Sequence, residues 1–417
     1  MIKNHKAQIN SFSKEDVKNV LSWTENIVDE TGTRLTGTDG CRKASERIYQ
    51  QMKEVCNEVK HQDFIHHRDA FLSIVKLMAV SYIIALGGLW LGGISNYLSA
   101  GVIVFVSIST LFEFVFYKEF LDSFFSETNS RNIIGRVKPK EEVHQTLIFS
   151  AHYDSPYVFH YLQNFQKYYI PIIFMTLMFY SFGLLLSVSA AINQSLSPDP
   201  FVLGIFWKTT MSLGLIFIIP YYFFTTDEVS PGAGDNLIAV SILLKLAEYF
   251  KKRENSLINT GLVFLITDAE ESGLRGARAF VKENREELIS SPHFNYNMDS
   301  LFSADHLTFL TSDINNTVKL SKDLVKKAIR VADKLGYSVE KMKMPFGGGG
   351  TDSGEFAKAG IPSASLIAMD TTFKSGSNPY HTRDDHTKNI NPKAVLACLE
   401  IAHGFARDMD CPDSKQL

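Results

Sequence analysis

The sequence lacks the features of a disulfide-stabilised protein and of a protein that binds nucleic acid. Its 417 residues include only four cysteines, Cys41, Cys56, Cys398 and Cys411, and no two of them form a CxxC pair. Scattered thiols of this kind fit a reducing compartment. A net charge of −3 excludes a globally basic surface, so no nucleic-acid partner is expected. The N-terminal segment is polar, and we expect no secretory signal peptide there.

Charged residues are almost missing from two long blocks, 72–117 and 168–224. Within these blocks, four segments approach the roughly 20 apolar residues that a membrane-spanning helix needs. The four segments are 77–94, 98–117, 168–192 and 202–224. The sequence therefore predicts a multi-pass integral membrane protein whose four spans form two transmembrane helical hairpins, 72–117 and 168–224. Burial of both hairpins inside a soluble protein is the alternative.

Two charged residues, Glu113 and Lys208, lie inside the predicted spans. A charge in the hydrocarbon region of a bilayer is costly unless it is compensated. We therefore expect each of these side chains to have a partner or to lie at the membrane interface.

The basic residues that flank the predicted spans indicate their orientation. Each hairpin returns the chain to the side from which it came, so all polar segments lie on one side of the membrane. Five basic residues flank the spans on that side: Arg68, Lys76, Lys118, Arg131 and Lys167. The excess of Lys and Arg in cytoplasmic segments places this side in the cytoplasm.

Outside the two blocks, apolar periodicity predicts alternating helices and strands. Helices are predicted at 14–29, 40–56, 237–252, 317–336 and 392–409. Strands are predicted at 133–137, 146–151, 261–267, 306–311 and 364–369. This alternation predicts an α/β fold with a mostly parallel sheet sandwiched by helices.

Ligand-type side chains follow several predicted strands or stand in turns. His152 and Asp154 follow the first long strand, Asp235 precedes a helix, and Glu270-Glu271 follow another strand. Asp299 and His381 come later in the chain. Two imidazoles and three carboxylates suit a pair of zinc ions that share one carboxylate. A further carboxylate, which binds no metal, is then needed to take the proton from a bound water.

Six motifs in order make the sequence recognisable: AHYDSP, GAGDN, DAEESGLRGARAF, NMDSLFSADHL, GTDSGEFAKAGIP and YHTRDD. They resemble family twenty-eight of the metallopeptidases, the group of bacterial leucyl aminopeptidase and aminopeptidase Y. The resemblance implies a zinc-exopeptidase-like fold formed by residues 1–71, 118–167 and 225–417 together. It also implies hydrolysis from a free peptide N-terminus with two Zn²⁺, for which other divalent metals are possible substitutes.

The same resemblance implies a role for each candidate side chain. His152 and Asp299 would bind one zinc, Glu271 and His381 the other, and Asp235 would bridge the two ions. Glu270 would be the general base, Asp154 would orient His152, and Tyr380 would help to stabilise an oxyanion. Asp305 and Asp313 stay open as alternatives to Asp299, and Asp154 could instead cap a turn.

Three functions remain open from the sequence. The first is a membrane-anchored aminopeptidase, for which the inserted hairpins suggest apolar peptides as substrates and the lipid bilayer as a partner. The second is a glutaminyl cyclase-like aminoacyl-transferase, which typically uses one zinc. The third is a non-catalytic binding module of the same fold. The glycine run at 347–350 lacks the Gly-Lys-Ser/Thr ending of a phosphate loop, so we interpret it as a rim or turn.

Overall fold

A mixed sheet lies at the centre of the polar part of the chain. The structure is a computed structural model that describes residues 12–410, so Cys411 lies outside the described residues. The strands are β1 (Glu58–His66), β2 (Thr128–Val137), β3 (Gln145–His152), β4 (Tyr157–Phe159), β5 (Thr225–Val229), β6 (Thr260–Thr267), β7 (His293–Leu301), β8 (Leu307–Asp313), β9 (Val318–Lys319), β10 (Glu340–Lys343) and β11 (Ser363–Ala368).

The α-helices are α1 (Lys14–Thr31), α2 (Asp39–Val55), α3 (Ala70–Leu91), α4 (Ser95–Thr110), α5 (His160–Asn164), α6 (Tyr169–Leu196), α7 (Ile205–Leu213), α8 (Leu215–Tyr221), α9 (Ile238–Lys251), α10 (Arg275–Glu283), α11 (Arg285–Ser290), α12 (Lys322–Leu335), α13 (Ser353–Lys358) and α14 (Pro392–Asp410). The helices and strands predicted from the sequence outside the apolar blocks are all present, with ends that differ by a few residues.

The strand order is β1-β2-β6-β3-β7-β11-β8-β10, and β9 pairs with β8. Only the central strands β6, β3, β7 and β11 form a continuous parallel group. The pairs β1–β2, β2–β6, β11–β8 and β8–β9 are antiparallel. The prediction of a mostly parallel sheet was therefore wrong at the flanks. Only the pairings at the centre and β8–β10 are parallel.

Helices cover both faces of the sheet. On one face, α1, α2, α9, α12 and α14 pack against side chains such as Leu147 and Phe149 of β3. On the other face, Ile148 contacts a smaller apolar cluster that includes residues of α10 and α13. Consecutive residues of a strand point to opposite faces, so a strand that is buried on both sides reads as an uninterrupted apolar run.

The apolar blocks form a separate group of helices. Three helical stretches are long and apolar enough to cross a membrane: Ala70–Leu91, Ser95–Val115 and Gln166–Leu196. The fourth predicted span is shorter, Ile205–Tyr221, and it is interrupted at Gly214 between α7 and α8. At 1.5 Å per residue it is roughly 25 Å long, less than the roughly 30 Å of a bilayer core. Four spans are therefore not established by helix length.

The two hairpins pack against each other along their length. Their shared core includes Tyr82 of α3, Tyr180 of α6 and Met211 of α7. Their far connectors also meet, because Gly93 N–H donates to the carbonyl of Phe201 (2.9 Å). The hairpins thus form one apolar bundle.

The two charged residues named above, Glu113 and Lys208, both have partners. Lys208 Nζ donates to the carbonyl of Trp90 (3.2 Å) and lies 5.3 Å from the centre of its ring. Glu113, fully buried in a short π-helical turn after α4, pairs with Arg275 of α10 (2.7 Å). The expectation that each charge would be compensated is confirmed.

A short ladder joins the two ends of the second apolar block. β4 and β5 pair antiparallel, with Tyr157 opposite Val229 and Phe159 opposite Thr225. Next to the ladder, His160 N–H donates to the carbonyl of Phe224 (2.8 Å). The chain therefore leaves and re-enters the polar part at one point.

Candidate metal centre

The carboxyl ends of the central parallel strands position the candidate ligands. His152 is the last residue of β3 and lies opposite Thr267, the last residue of β6. Asp299 lies near the end of β7, opposite Ile367 of β11. Parallel strands end at one edge of the sheet, so these side chains and the segment after β6 meet there. Asp235 reaches the same edge from the turn before α9.

Two ligand sets share Asp235. His152 Nε2 lies 3.3 Å from Asp235 Oδ1 and 3.8 Å from Asp299 Oδ1. On the other side, His381 Nε2 lies 3.2 Å from Asp235 Oδ2 and 3.6 Å from Glu271 Oε2. Each group of three places its ligand atoms within 4.8 Å of one another. The structure thus brings together all five predicted ligands, with one carboxylate between two imidazoles.

The chemistry of this cluster fits two divalent cations. The Nε2 atom of His152 and the Oδ2 atom of Asp235 are buried and have no hydrogen-bond partner among the described residues. Burial raises the pKa of Glu271, and the nearby charge of Asp235 raises it further. Buried carboxylates thus crowd around two imidazoles, and this excess of negative charge is the condition that bound cations relieve.

The imidazoles and the shared carboxylate stabilise each other's charge. Burial alone would raise the pKa of Asp235, but His152 and His381 outweigh burial and hold it below its ordinary value. Burial alone would lower the pKa of His152, but Glu270, Asp154 and Asp235 raise it well above its ordinary value. Asp235 is therefore held in the ionised form, whereas burial raises the pKa of the other two carboxylates of the sets, Glu271 and Asp299.

Asp154 contacts both His152 and the backbone of the acidic pair. One of its carboxylate oxygens lies 3.3 Å from His152 Nδ1, as expected for a residue that orients the imidazole. The same carboxylate accepts hydrogen bonds from the backbone N–H groups of Glu270 (3.2 Å) and Glu271 (3.1 Å). The sequence did not indicate this second contact. Through both contacts, Asp154 fixes the backbone of Glu270 and Glu271 relative to His152.

Glu270 and Tyr380 lie beside the ligand sets. Glu270 Oε2 is 3.8 Å from His152 Nε2, and burial raises the pKa of Glu270 well above its ordinary value. Tyr380 is half-buried, and its ring centre lies 4.1 Å from that of His381. The rival carboxylates lie elsewhere. Asp305 is exposed, and Asp313 accepts hydrogen bonds from Thr351 and Ser353.

Arg34 is a buried residue of the site that sequence reasoning missed. It is fully buried, and its guanidinium donates to the backbone carbonyls of Tyr153 (2.8 Å), Pro231 (2.9 Å) and Gly232 (2.7 Å). It thereby ties the segment after His152 to the turn that carries Asp235. The turn-rich segment around residue 34 gave no signal of these contacts, because all the acceptors are backbone atoms.

Asp385 was also missed, although it belongs to the YHTRDD motif. Its carboxylate accepts hydrogen bonds from the backbone N–H groups of Gly234 (2.6 Å) and Asp235 (3.1 Å). Ser300 adds a smaller contact, donating to Asp299 Oδ1 (2.8 Å). The signal available in the sequence was the pair of adjacent acids after His381. In the structure Asp385 is buried and Asp384 is exposed.

A groove of about 940 Å³ opens next to the candidate ligands. It lies between residues 162–168, which precede α6, and the segment 370–391, and it is lined by Pro379 and Thr382, on either side of Tyr380 and His381. None of the five candidate ligands lines it. The groove is therefore a neighbour of the ligand cluster rather than the cluster itself.

Comparison with known proteins identifies part of the chain. Residues 221–406 match the model of peptidase family M28. The chain carries an M28 peptidase domain. Asp235, Glu270, Glu271, Asp299 and His381 all lie within the matched range, whereas His152 and Asp154 precede it. Aminopeptidase YwaD of Bacillus subtilis is 28% identical over 185 residues, which cover 43% of this chain and 38% of that protein. The match thus spans well under half the length of this relative.

Solved structures share the fold around the M28 domain. A zinc aminopeptidase from Bacillus subtilis, BSAP, superposes with a TM-score of 0.56 at 16% identity and covers 96% of both chains. A Zn-dependent exopeptidase from Parabacteroides distasonis has a TM-score of 0.55 at 15% identity, covering 94% of this chain and 98% of its own. A glutaminyl cyclase from an Acidobacteriales bacterium has a TM-score of 0.56 at 14% identity, covering 98% and 99%. At these identities the likeness concerns the fold alone, which is zinc-exopeptidase-like.

Proposed function

We propose that this protein is a membrane-anchored aminopeptidase with two zinc ions that releases N-terminal residues from peptides. The observation that carries the proposal is the pair of three-residue ligand sets that share Asp235. His152 and Asp299 would hold one ion and Glu271 and His381 the other. When bound, the zinc ions lower the pKa of water so that a nucleophilic hydroxide forms near neutral pH.

The remaining side chains would then handle protons and orientation. Glu270 also forms a three-residue group with His152 and Glu271, but it belongs to neither of the two sets that share Asp235, so we assign it the proton of the attacking water. Asp154 would fix the tautomer of His152 through Nδ1, which leaves Nε2 free to bind metal. Tyr380 would donate to the oxyanion from its position beside His381. The groove lined by Pro379 and Thr382 is the path we assign to the rest of the peptide.

The membrane part of the proposal combines the three long apolar helices with the ladder between β4 and β5. α6 follows β4 of this ladder, and α7 and α8 precede β5. We therefore propose that α6 crosses the membrane in one direction and that α7 and α8 together cross it in the other. Residues 1–71, 118–167 and 225–417 would form one catalytic domain on the cytoplasmic side, as the flanking basic residues indicate. An opening next to the bilayer favours apolar peptides as substrates.

The proposal is tested with the full-length protein in detergent, zinc and a mixture of peptides analysed by mass spectrometry. The mixture contains peptides with a free, an acetylated and a glutaminyl N-terminus. We expect stepwise loss of N-terminal residues from the free peptides only, abolished by a chelator. Glu270→Gln should lower kcat by about 10²- to 10⁴-fold with zinc still bound, because a general base contributes that much. Asp305→Asn, which changes an exposed acid, should leave kcat unchanged.

Other outcomes favour the other functions. Loss of ammonia from the glutaminyl peptide, without hydrolysis, would indicate a glutaminyl cyclase, a class that appears among the proteins of similar fold. Zinc binding with every peptide left intact would indicate a binding module.

A further inference from the structure

The segment that carries the acidic pair has an unusual backbone. We call residues 268–275, which join β6 to α10, the acidic turn. Ala269, Gly273 and Leu274 all have positive φ angles, of 58°, 97° and 62°. The N–H groups of Gly273 and Leu274 both donate to the carbonyl of Glu270 (2.9 and 2.8 Å). A non-glycine residue in this conformation costs of order 1 kcal/mol, so such a turn persists only when its surroundings hold it.

Arg275 also holds the turn, through contacts separate from those of Asp154. Its backbone N–H donates to the carbonyl of Ala269 (3.0 Å), and its Nε donates to the carbonyl of Ser272 (3.2 Å). The guanidinium is buried and needs counter-charges. Glu113 supplies one at 2.7 Å and Asp122 another at 2.9 Å. These acids come from the end of the first apolar hairpin and the segment that follows it.

Glu113 is fully occupied by this arrangement. One carboxylate oxygen pairs with Arg275, and the other accepts hydrogen bonds from the backbone N–H groups of Phe120 and Leu121 (2.9 Å each). The residue therefore fixes the exit of the first hairpin and the guanidinium of Arg275 at the same time.

Apolar contacts join the same two parts of the molecule. Phe71, near the start of α3, packs so closely on the acidic turn that a Cβ atom on Gly273 would lie 2.9 Å from its ring. The ring of Tyr117, just beyond α4, lies 4.7 Å from that of Phe71 and belongs to the same cluster as Leu274. Both ends of the hairpin thus contact the turn.

The backbone carbonyl groups at the end of the first hairpin accept hydrogen bonds from the catalytic part of the chain. Asn315 Nδ2 donates to the carbonyl of Phe114 (2.7 Å), and Lys358 Nζ donates to that of Phe116 (2.9 Å). Arg278 donates to the carbonyl of Tyr117. The last carbonyls of a helix have no partner within the helix, so these contacts hold its end in place.

From these contacts we propose that Glu113 is a positioning residue for catalysis, acting through Arg275 on Glu270 and Glu271. The first hairpin is then a structural part of the active site as well as an anchor. This inference rests on the proposed function for the roles of the two glutamates. It requires only that the acidic turn moves when its support is removed.

The test uses the full-length protein in lipid nanodiscs and measures kcat, KM, melting temperature and zinc affinity by competition with a chelator. We expect Glu113→Gln to lower kcat at least tenfold with KM changed less than threefold, and to weaken zinc binding about 10- to 100-fold. Glu119→Gln, which removes a half-exposed partner of Arg275 at 3.2 Å, should have a smaller effect of the same kind. Lys208→Met removes a buried charge from the second hairpin and should leave kcat and zinc affinity unchanged.

A double variant separates positioning from stability. Glu113→Gln with Arg275→Met leaves no unpaired buried guanidinium, and Asp122 keeps its contact with His67 (3.4 Å), so the melting temperature should recover in part, whereas kcat and zinc affinity should stay low. Recovery of all three, or wild-type kcat and zinc affinity in Glu113→Gln, would overturn the proposal. Should Glu113→Gln fail to fold, Glu119→Gln and the double variant decide the matter. Zinc affinity is measured without a substrate, so the proposal is tested even where no peptide is cleaved.

Discussion

Three polar side chains hold the candidate metal centre through backbone atoms. Arg34 binds carbonyl groups on both sides of the site, Asp154 binds the N–H groups of Glu270 and Glu271, and Asp385 binds that of Asp235. Such contacts fix the position of the main chain at a ligand residue, and they leave its side chain free to bind metal. Loss of such a support is expected to change geometry by less than an ångström, and metal centres are sensitive to that change.

Asp385 offers a matched test of this support. We expect Asp385→Asn to weaken zinc binding about 10- to 100-fold and to lower kcat, because an amide group cannot accept hydrogen bonds at both of its ends. Asp384→Asn removes a neighbouring acid that is exposed, and it should leave both quantities unchanged. The measurement is chelator competition together with kcat. Equal effects of the two changes would show that local charge, rather than the two hydrogen bonds, is what counts.

Gly273 and Gly336 form a second matched pair. Both have positive φ angles, of 97° and 87°, but a Cβ atom on Gly336 would meet nothing within 4 Å. Gly336→Ala should therefore lose only the roughly 1–2 kcal/mol of an alanine in the left-handed region. Gly273→Ala should lose about 1–3 kcal/mol more, because of the contact with Phe71. Urea denaturation measures both values, and equal losses would contradict the close packing of Phe71.

Ligand types were predictable from the sequence at the residue scale, but their supports were not. His152, Asp235 and His381 stand in motifs whose order identifies the family. Arg34 and Asp385 act on backbone groups more than 100 residues away in the chain. No periodicity or spacing records such contacts, since every residue offers the same N–H and C=O groups.

At the scale of elements, the missed strand β7 shows how buried polar residues mislead. Asn295 and Asn297 lie inside this strand and are buried, so its sequence does not read as an apolar run. Their side chains bond to neighbouring strands, while Oδ1 of Asn295 has no hydrogen-bond partner among the described residues. Asn295 donates to Ser150, and Asn297 accepts from Ser150 and donates to Ser365. The strands β3, β6 and β11 have apolar segments and were predicted within two residues of their ends.

The packing of α14 on α9 makes stability depend on pH. His403 of α14 stacks on Phe250 of α9 with ring centres 5.4 Å apart, and burial together with Arg407 lowers the pKa of His403 to about 4. In the unfolded chain His403 binds a proton at the ordinary histidine pKa of about 6.5. The contribution of His403 to stability is therefore full above that pH and falls as the pH drops towards 4. Between pH 7 and pH 4, we expect the free energy of unfolding to fall by roughly 3 kcal/mol more in the natural protein than in His403→Phe.

The measurement is the urea midpoint of both proteins between pH 7 and pH 4. Phenylalanine keeps the stacking and removes the titration, so residues that titrate elsewhere, such as His66, cancel in the difference. Parallel pH profiles would show that His403 is protonated in the folded protein as readily as in the unfolded chain.

At the scale of the whole molecule, the cytoplasmic orientation proposed from the flanking basic residues can be tested by labelling. We expect Asp199→Cys, at an exposed position in the far connector of the second hairpin, to react with an impermeant maleimide in intact cells. Arg253→Cys, on the catalytic side, should react only after the membrane is opened. Both are made with Cys411 replaced by serine, because the other three cysteines are buried. The reverse labelling pattern would place the catalytic domain outside the cytoplasm.

The ladder between β4 and β5 gives the second insertion fixed ends that are already paired. The entropic cost of holding the two ends of a loop together grows only slowly with its length, by about 0.6 kcal/mol for each doubling. The helical part of this insertion, residues 169–224, can therefore change in length at little cost to the sheet, provided that Tyr157 still meets Val229. We expect a chimaera with another pair of apolar helices at this junction to keep the folded sheet, while losing the core that the two hairpins share.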